Sequence, residues 1–152
     1  MALHNETPFE VDVCETMLER GWLYEHPSAD RYDAKQTLFP EDLIAYVQET
    51  QPDLFEQLTK SHGEKAGAVL CERVRDMIDK QGTLEVIRNG VEMMGVKRPI
   101  SVVQFAPAFG MNEDIVKRYN ANRLRVVRQV KYSTKNENSI DLMLFVNGIP
   151  TA

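Results

Sequence analysis

The segment SIDLMLFVNG, residues 139–148, constrains this chain more than any other. In an extended backbone Ile140, Leu142, Leu144 and Val146 fall on one face, and Met143 and Phe145 on the other. A strand apolar on both faces belongs inside a sheet rather than at its surface. Asn147-Gly148 follows at once, and this dipeptide favours a type I′ turn, which requires positive φ at both central positions. The fold must therefore hold an interior hairpin near its C-terminal end. The preceding strand, RLRVVRQVKY (123–132), alternates differently, with Leu124, Val126, Val130 and Tyr132 on one face and Arg123, Arg125, Gln129 and Lys131 opposite. Arg128 breaks that alternation on the apolar face, where a guanidinium needs a carboxylate or a phosphate.

Upstream, the periodicity is helical. Helices are predicted at 8–20, with Phe9, Val13, Met17 and Leu18 as the apolar stripe, and from Pro40 and Pro52, each with acids in its first turn. Further helices are predicted over 64–80 and over 83–95, with Thr83 as N-cap and Gly90 weakening the middle. Residues 22–36 read as a charged loop. After Pro99 the β-branched ISVVQF (100–105) reads as a strand that Pro107 closes, and 112–122 reads as a helix capped by Asn112. With no repeat and no linker, 152 residues suit one domain, mainly helical over 1–96 and a basic strand-helix-strand part over 97–152.

Composition excludes several classes. Hydrophobic residues make up 43% and charged residues 27%, and no apolar run approaches the ~20 residues of a membrane span. MALHNETPFEVDV lacks the basic and apolar regions of a secretory leader, so a cytoplasmic location is expected. Cys14 and Cys71 lie far apart and outside any C-x-x-C pair, which points to buried thiols rather than a disulfide or a zinc site. The net charge of −5 conceals an asymmetry: residues 1–60 hold 13 acids and 4 bases, and residues 61–152 hold 10 acids and 14 bases. The halves face different partners or each other. Between 97 and 135 nine bases stand against only Glu113 and Asp114, a block that attracts polyanions unless it is merely a solvated face.

Asp141 shares a face with Met143 and Phe145. A carboxylate buried there needs a cation or hydrogen-bond donors, whereas one just outside the buried part would only cap the loop STKNEN. Arg128 is its candidate partner, and phosphate guidance beside a metal is the alternative use of that guanidinium. Glu15 and Glu19, four apart on the first helix, read as a solvated pair. His4, His26 and His62 show no ligand spacing, Trp22 and Tyr24 suit packing at the core edge, and Gln48 and Gln51 carry no signal.

NEDIVKRYNANRLRVVRQVKYSTKNENSIDLMLFVNGIP, together with ERGWLYE, LFPEDLIAYVQETQP, GTLEVIRNGV and RPISVVQFAP, resembles the N-terminal nuclease domain of the R (restriction, motor) subunit of type I restriction-modification enzymes. The resemblance implies a restriction-endonuclease-like α/β fold with a helical N-terminal half and an incomplete C-terminal sheet. Its site is an Asp on one strand and Glu-x-Lys on the next, after a tight turn. Asp141 matches the Asp, as catalytic residue and metal ligand, while the Glu-x-Lys would fall just beyond Ala152. The chain then reads as a fragment without its own nuclease or ATPase activity. The resemblance also implies Mg²⁺ in the parent protein, ATP used by motor domains not present here, double-stranded DNA as substrate, and modification and specificity subunits as partners. With DNA as substrate, Arg123, Arg125, Arg128, Lys131, Lys117 and Arg118 become candidate DNA-binding residues. A non-catalytic DNA-binding or subunit-docking module is the alternative reading.

Overall fold

The computed structural model describes residues 6–25, 32–131, 135 and 138–152. His4, His26, Tyr132 and most of the STKNEN loop lie outside the described residues. In chain order α1 (Glu6–Glu19) and β1 (Leu23–Glu25) precede α2 (Pro40–Thr50), α3 (Pro52–His62), α4 (Ala66–Gln81) and α5 (Thr83–Asn89). Then follow α6 (Glu113–Asn120), β2 (Leu124–Lys131), β3 (Ser139–Val146) and β4 (Ile149–Pro150). This mixed α/β arrangement is compatible with a restriction-endonuclease-like fold.

The helix signals act where the sequence put them. Pro40 and Pro52 open α2 and α3, with Glu41, Asp42 and Asp53 in the first turns. The Asn112 side chain caps α6, accepting from the backbone N–H of Asp114 at 3.0 Å and of Ile115 at 3.3 Å. The helix predicted over 83–95 is shorter. It ends at Asn89 because Gly90 takes φ +68°, where a Cβ would stand 2.3 Å from the Ile100 carbonyl oxygen. Thr83 is its first residue rather than its cap.

The sheet runs β1-β2-β3-β4, with β1 parallel to β2 and the other pairs antiparallel. β3 lies between β2 and β4, as its two apolar faces require, although only Met143 and Phe145 of its residues are buried. The Asn147-Gly148 turn has φ of +48° and +79°, both positive as a type I′ turn demands. It docks on α2: Phe39 N–H donates to Gly148 O at 3.0 Å, and a Cβ at Gly148 would lie 2.2 Å from the Phe39 carbonyl oxygen.

Two further expectations fail. Residues 22–36 are not all loop, since Leu23–Glu25 pair with Arg125–Val127. The segment 100–105 forms no strand beyond an isolated Val91–Ile100 bridge. Its backbone is satisfied by side-chain amides instead. Gln51 Oε1 accepts from Ser101 N–H at 2.8 Å and Gln51 Nε2 donates to Ser101 O at 2.8 Å, copying an antiparallel pair. Asn122 does the same to Gln104, and Asn147 Nδ2 donates to Val102 O. Gln51, silent in the sequence, thus joins α2 and α3 to this segment.

Most of the core packs among α2–α5, from Leu43, Tyr46, Leu54, Leu70 and Val74 to Ile149 of β4. A smaller cluster joins Phe39 to Val127, Val130, Met143 and Phe145 on the sheet. Val127 and Val130 reach one cluster because Gln129 adopts φ +53°, which breaks the alternation of β2. The two charge halves do meet: Asp42 pairs with Arg125, Glu10 with Arg128 and Asp53 with Arg98.

Candidate metal and DNA site

The strand register sets the site. Val127–Met143, Arg128–Leu142 and Val130–Ile140 are partners, so Gln129 stands across from Asp141. Gln129 Nε2 donates to Asp141 Oδ1 at 3.3 Å. The same nitrogen donates to Oε1 and Oε2 of Glu10, on α1, at 3.0 and 3.1 Å. Ser139 Oγ donates to Gln129 Oε1 at 2.8 Å, which fixes the orientation of the amide. Three carboxylate oxygens from a helix and a strand therefore converge on one nitrogen.

Glu10 is buried at 5% exposure, and Arg128 answers its charge through Nε at 3.2 Å and Nη2 at 3.1 Å to Oε2. Burial works against the Arg128 charge, but hydrogen bonding and attraction from Glu10, with a contribution from Tyr24, prevail and hold its proton more tightly than usual. The Arg128–Asp141 pair considered from the sequence does not form, because Glu10 takes the guanidinium. Nor is Asp141 buried: it lies in the exposed first half of β3, ahead of Met143.

The other candidates separate by exposure. Arg125 is inside, donating from Nε and Nη2 to both Asp42 oxygens at 2.7 and 3.0 Å and lying 5.3 Å from the Phe39 ring centre. Arg123 is more open, its Nη1 3.8 Å from Asp42 Oδ1. Lys131 is exposed at the end of β2, and α6 carries an exposed Lys117 and a half-buried Arg118. Asp141 and Arg128 thus gather around Gln129, while Lys117 and Arg118 stand apart on α6. Glu15 and Glu19 are exposed, as expected of a solvated pair, and His62 is half-buried.

Glu10 is the residue that sequence reasoning missed. Its signal was available, since Glu10, Cys14 and Met17 share a helical face. The expected stripe was rotated: Phe9 and Leu18 are exposed, whereas Glu10 and Cys14 are buried. Both cysteines are free and buried, and burial raises both thiol pKa values, that of Cys71 to about 11. Among the described residues no group of three or more His, Cys, Asp and Glu converges, and Glu10 and Asp141 form a carboxylate pair joined through Gln129.

Comparison with protein families matches residues 5–152 to the type I restriction enzyme R protein N terminus. The chain belongs to this family. No significant match to it occurs among curated proteins or solved structures. As an R protein N terminus, the chain is part of a restriction system, and among its described residues no helix is long and apolar enough to cross a membrane. Within this matched region the structure sets Glu10 of α1 and Asp141 of β3 on either side of the Gln129 amide.

Proposed function

We propose that this chain is the N-terminal part of a type I restriction R subunit and supplies one half of a nuclease site to a parent protein that performs ATP-driven, Mg²⁺-dependent cleavage of double-stranded DNA in the cytoplasm, together with modification and specificity subunits. The observation that carries the reading is the convergence of Glu10 and Asp141 on Gln129 Nε2. A donor atom held by three carboxylate oxygens stands in for a cation, and oxygen donors of this kind fit a hard divalent ion. Glu10 and Asp141 would hold the metal, and rotation of the Gln129 amide would add its Oε1 as a fourth oxygen. Bound Mg²⁺ polarises a phosphodiester and lowers the pKa of attacking water.

The chain's own residues do the rest. Arg128 pairs with Glu10 and orients it inside the protein, and Ser139 sets the Gln129 amide. Asp141, exposed at the strand's outer end, is open to a phosphate approaching from solvent, and Lys131 lies within the same hairpin. Arg125 positions β2 against α2 rather than touching DNA.

Iron-directed self-cleavage tests the reading. Fe²⁺ seated in place of Mg²⁺, with ascorbate and peroxide, should cut the backbone near positions 10, 129 and 141, and Asp141→Asn should abolish those fragments. Diffuse cutting, or the same fragments from the variant, would contradict it. A non-catalytic docking module is the second reading, favoured by the internal use of Arg125 and Arg128, and it predicts no specific cutting at all.

A further inference from the structure

Residues 105–111, FAPAFGM, are exposed where a folded chain ordinarily is not apolar. Phe105 is 53% exposed, Phe109 79% and Met111 90%. Large apolar side chains are ordinarily withdrawn from water, so three exposed within seven residues mark a contact surface. Phe105, Pro107, Phe109 and Met111 alternate with Ala106, Ala108 and Gly110, so the large groups are spaced by small ones.

The loop is fastened at both ends to α6. Gln104 N–H donates to Asn122 Oδ1 at 3.2 Å and Asn122 Nδ2 to Gln104 O at 2.7 Å, beyond the helix C-terminus. Asn112, next to Met111, caps the N-terminus. Asn147 Nδ2 also donates to Asn122 Oδ1, at 2.9 Å, so the same post is tied to the turn that follows β3. The apolar groups consequently flank α6, whose Lys117 and Arg118 join Arg98, itself paired with Asp53, and the acids Glu49 and Asp114 around an open cleft of about 870 Å³. Across residues 97–123 five bases face two acids.

Phe, Met and Pro raised beside a basic surface are the groups that enter DNA between base steps while cations hold the flanking phosphates. We infer that residues 105–111 form an apolar wedge that inserts into duplex DNA beside α6, with Lys117 and Arg118 on the backbone. The inference rests on DNA being the substrate, as proposed above. The wedge would strain the duplex at a point fastened, through Asn122 and Asn147, to the hairpin that carries Asp141.

Binding of a duplex containing 2-aminopurine, followed by anisotropy and by base fluorescence, tests it. The unmodified chain should bind with a fluorescence rise from unstacking. Phe105→Ala/Phe109→Ala/Met111→Ala should bind about tenfold more weakly, lose that rise and keep the slope of log K against log salt, since stacking contacts release no counterions. Lys117→Ala/Arg118→Ala should keep the rise at saturation and flatten the slope by about 2. All three wedge side chains are exposed, so the variant's thermal melt should match the parent. Unchanged affinity and fluorescence in the wedge variant would overturn the wedge and leave the DNA reading standing. Failure of the unmodified chain to bind DNA at low salt would remove both. Loss of self-association in the wedge variant, with DNA binding unaltered, would make the loop a protein contact and overturn the inference.

Discussion

At the residue scale, Asn147 shows how one side chain can serve several roles. It is fully buried at φ +48°, accepts from Arg123 N–H at 2.6 Å, and donates to Val102 O and Asn122 Oδ1 at 2.9 Å each. Asn147→Asp keeps the shape and the turn propensity but sets a carboxylate against two acceptors. It should destabilise the fold by at least about 2 kcal/mol, seen as a lower urea midpoint, whereas a purely conformational role for Asn147 would leave the midpoint unchanged. The buried thiols make a second residue-scale prediction. Burial, with smaller contributions from Asp33 and Glu72, pushes Cys71 up from its ordinary 9.0 to about 11. Its folded pKa exceeds its unfolded one, so its contribution to stability is complete below pH 9 and is lost as pH rises towards 11. Iodoacetamide at pH 8 should label Cys71 only as fast as the chain unfolds, and rapid labelling of the folded protein would contradict its burial.

At the element scale, the helices and the hairpin were legible because their signals are local: first-turn prolines, an Asn cap, a period of two, an Asn-Gly turn. What was not legible depends on distant partners. β1 is three residues long, too short for alternation to register, and exists only because β2 runs beside it. The β-branched ISVVQF reads as a strand, but its backbone finds Gln51, Asn122 and Asn147, and no periodicity reports an amide fifty residues away. Gln51→Ala should therefore cost about 2–4 kcal/mol, because both polar groups of Ser101 lose their partners, and hydrogen exchange at Ser101 should accelerate. The charge asymmetry was legible as a possibility and is resolved by ion pairs between the halves. Asp42→Ala should cost about 3–5 kcal/mol by removing the carboxylate that Arg125 meets through two nitrogens inside the protein, while Asp42→Ala/Arg125→Met should recover most of it. Equal losses in both variants would mean that the pair does not fasten β2 to α2.

Across the whole molecule, a sheet edge, a first helix and a basic helical segment are brought into one arrangement by contacts far apart in sequence. Its place before an apolar run left Asp141 open to a loop-cap role, and only the family resemblance singled it out; Glu10 went unnoticed because it lies 131 positions earlier and only the packing of α1 against β2 brings it near. A carboxylate on the buried face of α1 was the visible clue, masked by the neighbouring Phe9 and Leu18. The proposed site predicts one property that neither a docking module nor a purely structural ion pair would have. Titration of the chain with Mn²⁺, followed by the loss of the free-ion electron paramagnetic resonance signal, measures it. Saturable binding is expected, competed by Mg²⁺ and weakened at least about tenfold by Asp141→Asn and by Glu10→Gln, the loss that even a supporting hydrogen bond to a metal ligand can cause. Binding of equal strength in all three proteins, or none in the unmodified chain, would contradict the assignment of Glu10 and Asp141 as the metal seat.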